Sequence, residues 1–153
     1  MKGMLCLIFL VLFSGGVMVG IGSGQPQGTL DLAVYVWKHR LLLLFASSNE
    51  DGPYQEFIKK LQGQEDELVE RDLLVFSILE RGQSRLGDSV INRHSAASLR
   101  YRFSITPSQF TVVLVGKDGG EKLRRGAAVD IDEIFSVIDA MPMRRREMEE
   151  KKR

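Results

Sequence analysis

The stretch Phe110-Thr111-Val112-Val113-Leu114-Val115-Gly116-Lys117-Asp118-Gly119-Gly120-Glu121-Lys122-Leu123-Arg124-Arg125 decides how this chain of 153 residues closes its sheet. Phe110 to Val115 reads as a buried strand, because a short apolar run with no polar face must be covered on both sides. Asp118-Gly119 supplies the positive φ angles of a tight hairpin, so Lys117 to Gly120 is the turn. Glu121 to Arg125 then returns as a charged edge strand, whose lysine and arginines oppose edge-to-edge pairing. A phosphate-cradle reading of the same glycines fails. The Gly-x-x-x-x-Gly-Lys-Ser/Thr spacing is missing, and a strand follows instead of a helix. Downstream, Asp130 and Glu133 have the spacing of a capping box. Ile131, Ile134, Phe135, Ile138 and Met141 then recur on one helical face. Pro142 is expected to kink or end that helix, since proline cannot donate to the preceding turn.

Upstream, Leu30 to Trp37 mixes helix and strand periods and reads as a lead-in segment that packs on the domain. Leu41 to Ala46 is uninterrupted and apolar, a second buried strand. After the polar loop Ser47 to Gly52, Pro53 suits the first turn of a helix. Tyr54, Phe57, Ile58 and Leu61, then Leu68 and Val69 beyond Gly63, form its apolar face, and Glu70-Arg71-Asp72 ends it. Leu73 to Leu79 is a third buried strand, which makes a βαβ unit with parallel strands and a right-handed crossover. Arg81 to His94 carries Gly82, Gly87, Asp88 and Asn92 and reads as a loop or mobile segment. Ser95 to Phe103 reads as a short helix capped by Ser95. Ile105-Thr106-Pro107 reads as extended, because the residue before proline is pushed out of the helical region.

The resulting layout is α/β: βαβ, a connecting helix, a β-hairpin and a C-terminal helix around a central mixed sheet of about four strands. This is a thioredoxin-like arrangement. Four segments carry a closer resemblance: Trp37 to Ala46, Glu70-Arg71-Asp72-Leu73, Phe110 to Gly119, and Ile138 to Met148, which reads Ile-Asp-Ala-Met-Pro-Met-Arg-Arg-Arg-Glu-Met. Together they resemble the DUF4174 family over nearly the whole span from Leu30 to Met148. That family's domain is similar to the repeated domain of certain animal extracellular-matrix and sushi-repeat proteins, which has been likened to peroxiredoxins. The resemblance implies a thioredoxin-like domain. It implies no catalytic residue, cofactor or metal.

The N-terminus has the composition of a targeting segment. Lys2 precedes the apolar run Leu5 to Phe13, and small residues lead to Gly22-Ser23-Gly24 before Gln25. Residues 1–24 therefore read as a secretory signal cleaved after Gly24, with an N-terminal membrane anchor as the alternative. Residues 30–148 form the domain and residues 149–153 a charged tail. Cleavage would remove Cys6, the single cysteine, and Lys2, so the 21 basic residues become twenty against 20 acidic ones and the net charge of +1 becomes zero. A neutral chain is not built as a whole to bind nucleic acid. The localisation expected is secreted or periplasmic. The partners that fit it are an envelope or extracellular protein, or an anionic surface.

The absence of a mature cysteine decides the chemistry. In thioredoxin-like folds the reactive cysteine sits after the first central strand, where a helix N-terminus stabilises the thiolate. Here that place is held by Ser47 to Tyr54. Thiol peroxidation and disulfide exchange by the mature chain are therefore excluded. Ser47 and Ser48 read as loop and cap residues, or as part of an anion site at the helix start. Pro107 stands near the place of the fold's cis-proline, and a trans bond is expected there. His39 and His94 lie 55 positions apart without metal-ligand spacing, and His39 with Arg40 could hydrogen-bond a carbonyl at a strand end. Arg144, Arg145 and Arg146, joined in space with Arg124 and Arg125, are the candidate basic binding surface. The expected role is a binding or interaction module. The alternatives are an enzyme that uses no thiol, or a degenerate relative of a peroxiredoxin-like redox protein. A pocket at the first-helix start gathering His39, Glu50 and Pro107 would mark an enzyme.

Overall fold

The computed structural model describes residues 30–126 and 129–153. The signal sequence expected over residues 1–24 lies outside them. Six strands form one mixed sheet in the order β4-β3-β2-β1-β5-β6. They are β1 (Arg40–Ala46), β2 (Leu73–Leu79), β3 (Ser84–Leu86), β4 (Ser89–Ile91), β5 (Thr111–Val115) and β6 (Glu121–Arg125). β1 pairs parallel with β2 and β5 antiparallel with β6, as the βαβ and hairpin readings require, and β1 also pairs antiparallel with β5.

Alternation along β1 builds two cores. Leu42, Leu44 and Ala46 face one side with Val112 and Leu114 of β5. There they meet Phe57 and Leu61 of α1 (Gly52–Leu61) and Ile131, Ile134, Phe135 and Ile138 of α4 (Ile131–Asp139). Leu41, Leu43 and Phe45 face the other side with Val113 and Val115. There they meet Leu32 of a single 3-10 turn (Leu32–Tyr35) and Ala96 and Leu99 of α3 (Arg93–Arg102). Period-two side chains on a strand buried from both sides explain why the run from Leu41 to Ala46 has no polar member.

The sheet has six strands and not about four. The difference lies in Arg81 to His94, expected as a loop. Gly82 and Gly87, at φ 106° and 53°, make turns on either side of β3, and β3 and β4 form a small hairpin on the free edge of β2. Ser84 fixes the hairpin, because its buried hydroxyl accepts from the Leu79 N–H at 2.9 Å. The strands are three residues each, too short for a periodic signal.

Other local readings also shift. The first helix is split at Gly63 (φ 80°) into α1 and α2 (Glu65–Glu70). α3 is capped by Asn92, whose side chain accepts from Ser95 N–H at 2.8 Å, while the Ser95 hydroxyl accepts from Leu30 N–H. Asp130 caps α4, but Glu133 pairs with Arg125 instead of closing a capping box. Pro142 does end α4, and it then opens a further helix, α5 (Pro142–Glu150), from the N1 position where its missing N–H costs nothing. The Thr106-Pro107 bond is trans.

Ser84→Ala leaves the Leu79 amide buried without an acceptor. It is expected to lower unfolding free energy by about 1–3 kcal/mol in urea titration with an unchanged slope. A loss under about 0.3 kcal/mol would show that the β3–β4 hairpin is not anchored this way.

Candidate functional site

The four segments singled out in the sequence converge at one end of the sheet, where β1 and β2 begin. Arg40 opens β1 with its side chain 1% exposed. Its Nη1 donates to the Arg71 carbonyl at 2.8 Å, and Nη1 and Nη2 grip both oxygens of Glu147 on α5 at 3.1–3.2 Å. Lys117, in the β5–β6 turn, donates to the same Glu147 and to Asp72, both at 2.7 Å. Beside this group lies a second. Arg144 of α5, also 1% exposed, donates to Asp139 at 3.1 Å, to the Glu70 carbonyl at 2.8 Å and to the Glu70 carboxylate at 2.6 Å. Arg71 shares Asp139 with it at 2.6 Å, pairs with Glu67, and stacks over Phe135 at 4.5 Å.

Desolvated charges are tolerated only when their hydrogen bonds are nearly all met. Here carboxylates from α2, the start of β2, α4 and α5 meet four cations. The carboxylates respond. Partial burial pushes Asp139 up, but the hydrogen bonds from Arg71 and Arg144 outweigh it and hold the carboxyl below its usual range. Asp72 behaves alike: burial raises it, and the Lys117 ammonium brings it down further than burial lifts it. Glu70 is held low by the hydrogen bond from Arg144. Lys117 loses basicity to burial and regains more from Asp72 and Glu147.

The network leaves donors over. Arg40 Nε, buried, has no hydrogen-bond partner among the described residues, and neither does Arg71 Nε or His39 Nδ1. Next to Arg40 opens a cleft of about 340 Å³, lined by Trp37, Arg40, Gly116, Lys117, Asp118, Lys122, Met141, Pro142, Met143 and Arg146. Trp37 stands at its rim, 67% exposed and with φ 65°. Left-handed backbone is costly for a bulky residue. It is imposed here by the short Trp37 N–H to Lys117 carbonyl bond of 2.6 Å and by the turn that closes on Tyr35.

The opposite end of β1 is where a thioredoxin-like fold would carry its thiol. Ser47 donates from Oγ to Asp51 at 2.9 Å, and Asp51 caps α1 by accepting from Tyr54 N–H at 3.3 Å. Ser48 accepts from the Glu50 N–H. The cap expected of the serines is thus supplied by Asp51, with the serines bracing its loop. A shallow cleft there is lined by Asp51, Gly52, Pro53, Ser108, Gln109, Phe110 and Gly126. Pro107 lies one residue outside that lining. His39 precedes β1 at its far end, so His39, Glu50 and Pro107 are not gathered.

The arginines of the expected basic surface are dispersed. Arg124 pairs with Glu121 and donates to the Phe103 carbonyl, and Arg125 pairs with Glu133. Arg125 is in register with Val112, and through it with Leu44 in the second half of β1, whereas Arg144 packs by Glu70 at the β2 start. Arg144 is buried, while Arg145 and Arg146 are exposed. Among the described residues no group of His, Cys, Asp and Glu is placed to hold a metal ion. The carbonyl contact at this strand end is made by Arg40 and not by His39, whose Nδ1 has no hydrogen-bond partner among the described residues. Sequence reasoning missed Arg40, Arg71, Asp72, Lys117, Asp139 and Glu147 as one unit. A charged residue abutting the apolar run from Leu41 was the visible signal, but its partners lie on other elements.

Comparison with known proteins agrees with this architecture. Residues 31–147 match the family described as "Domain of unknown function (DUF4174)". A coiled-coil domain-containing protein 80 from Danio rerio is 29% identical over 133 residues, which is 76% of this chain and 15% of that protein, so the chain spans under a sixth of the relative's length. Among solved structures, the reduced 2-Cys peroxiredoxin of Plasmodium vivax superposes with a TM-score of 0.55 at 16% identity, over 76% of this chain and 72% of the other. Plasmodium yoelii thioredoxin peroxidase I gives 0.53 at 16% identity, over 75% and 79%. These likenesses establish the thioredoxin-like fold.

Glu147→Gln removes the charge that balances buried Arg40 and is expected to cost about 3–5 kcal/mol in urea unfolding. Because Asp72 and Asp139 titrate below their unfolded values, their stabilisation is complete above the unfolded carboxylate range and is lost as pH falls through the folded one. The unfolding midpoint should therefore drop below about pH 4, and this acid limb should be shallower in Lys117→Met. Equal acid limbs in the two proteins would contradict the assignment.

Proposed function

Because the chain belongs to the DUF4174 family, we propose its role from its own geometry: a secreted or periplasmic thioredoxin-like binding module that works without thiol chemistry. The observation that carries the reading is a division between the two ends of β1. At the thiol end, Ser47 and Asp51 are consumed in capping α1. At the other end, an exposed tryptophan in a costly backbone conformation, unspent donors and a cleft lie together. Aromatic and arginine side chains of this kind anchor binding surfaces. Strain that the surroundings must enforce is a mark of functional positions.

The partner that fits is an extracellular or envelope protein, or an anionic surface. Arg145 and Arg146 present the exposed positive charge that such a partner would meet. The signal-like segment over residues 1–24 supports export.

Trp37→Gly tests the binding face, because glycine adopts positive φ freely. The variant should keep or raise the urea midpoint while losing a partner that the parent domain retains from secreted or envelope fractions. Retention of that partner by both Trp37→Gly and Arg146→Ser would refute the face. Expression of the full chain should give a product whose intact mass begins at Gln25. A product that keeps Met1 would refute cleavage there.

A further inference from the structure

We propose that the cleft beside Trp37 is a binding site for a small molecule with one carboxylate and an apolar body. The inference rests on the binding-module reading and specifies what the face receives. Its lining divides into an apolar wall, made by Trp37, Met141, Pro142 and Met143, and a polar floor, made by Arg40, Lys117, Lys122 and Arg146. At about 340 Å³ it has the size of a small-ligand pocket.

Three independent features make the floor anion-selective. The first is Arg40. Its side chain is 1% exposed, its Nη groups are committed to Glu147 and Arg71, and its Nε–H is left without an acceptor. A buried donor without a partner is costly, and Arg40 brings a buried positive charge into the lining of the cleft. The second is the start of α5. Met141, its cap, offers no side-chain hydrogen bond, and Pro142 has no N–H. The first-turn amides of Met143 and Arg144 therefore face outward along the positive end of the helix dipole. The third is Arg146, exposed and without an ion-pair partner among the described residues.

Charge count sets the valence of the ligand. Arg40, Lys117, Lys122 and Arg146 are four cations. Glu147, Asp72 and Asp118 are three carboxylates paired with them. One positive charge is left over, which a monoanion neutralises. A phosphate dianion or a polyanion would leave surplus negative charge against Asp118 and Glu147. The apolar wall, in turn, would bury an aromatic or alkyl body and gain nothing from a bare inorganic ion.

Trp37 is the single tryptophan of the chain, so its emission reports the site directly. Phenylacetate and octanoate, titrated into the domain, should each change that emission saturably. Phenylacetamide, octanamide and inorganic phosphate should not. Arg146→Ser should weaken the carboxylate titration about threefold to fivefold, the size expected of one exposed charge contact. Lys60→Ser, on α1 away from the cleft, should leave it unchanged. Equal responses to acid and amide, saturation by phosphate, or no response to any carboxylate would each overturn the proposal. If carboxylates fail while Trp37→Gly still abolishes partner retention, this inference falls and the binding face stands. If carboxylates titrate while the variant keeps its partner, the site stands and the partner face falls.

Discussion

The arrangement depends on one desolvated guanidinium. Arg40 begins the central strand of a sheet covered on both faces, so its charge cannot reach bulk water. An isolated buried cation would cost far more than the few kcal/mol by which a domain is stable. The chain meets this constraint by bringing Glu147 back from the last helix and the Arg71 carbonyl from the end of α2, just ahead of the neighbouring strand. Lys117 then neutralises the second share of Glu147 and ties in Asp72. Elements that share little apolar surface are held in register by this demand. α5 in particular contributes a single fully covered residue, Arg144, and is held mostly by ions.

Buried ion pairs are seldom an efficient route to stability, since apolar replacements of equal volume often do as well. Their use here has a geometric return. Guanidinium forks and carboxylates are directional, so they fix the position of the β5–β6 turn against the start of β1 more tightly than apolar packing would. Lys117 donates through its side chain to Glu147 of α5 and to Asp72 just ahead of β2, while its carbonyl holds the Trp37 amide. One residue thus carries the rigidity of the ionic cluster to the strained turn at the rim of the cleft. At the opposite end of β1, Ser47 and Asp51 are spent on capping α1.

Much of the fold was legible because periodicity is a local signal. The runs Leu41 to Ala46 and Phe110 to Val115 carry no polar face, and Asp118-Gly119 names its turn, so β1, β5 and the β5–β6 hairpin follow from short-range rules, while the pairing of β1 with β5 does not. The β3–β4 hairpin was not legible. Three-residue strands have no period, and what holds them is a serine hydroxyl bonded across a turn. The charged cluster was half legible. The residues that compose it stand out as Lys-His-Arg, Glu-Arg-Asp and Arg-Arg-Arg, yet their grouping depends on which strand ends are neighbours. The triple arginine shows the limit. Three identical residues in a row part ways, because successive helix positions are turned by 100° and only Arg144 is buried, while Arg145 and Arg146 are exposed.

The link between Arg40 and Glu147 spans 107 positions of the chain. A polypeptide made from its N-terminus has its central strand, its crossover and its hairpin available well before the residue that neutralises Arg40 exists. Until α5 is complete, burying β1 would bury an uncompensated charge. The native sheet is therefore disfavoured in every nascent intermediate that stops short of Glu147. Closure of the domain therefore waits for α5, because without Glu147 the central strand would carry an unneutralised guanidinium into the sheet.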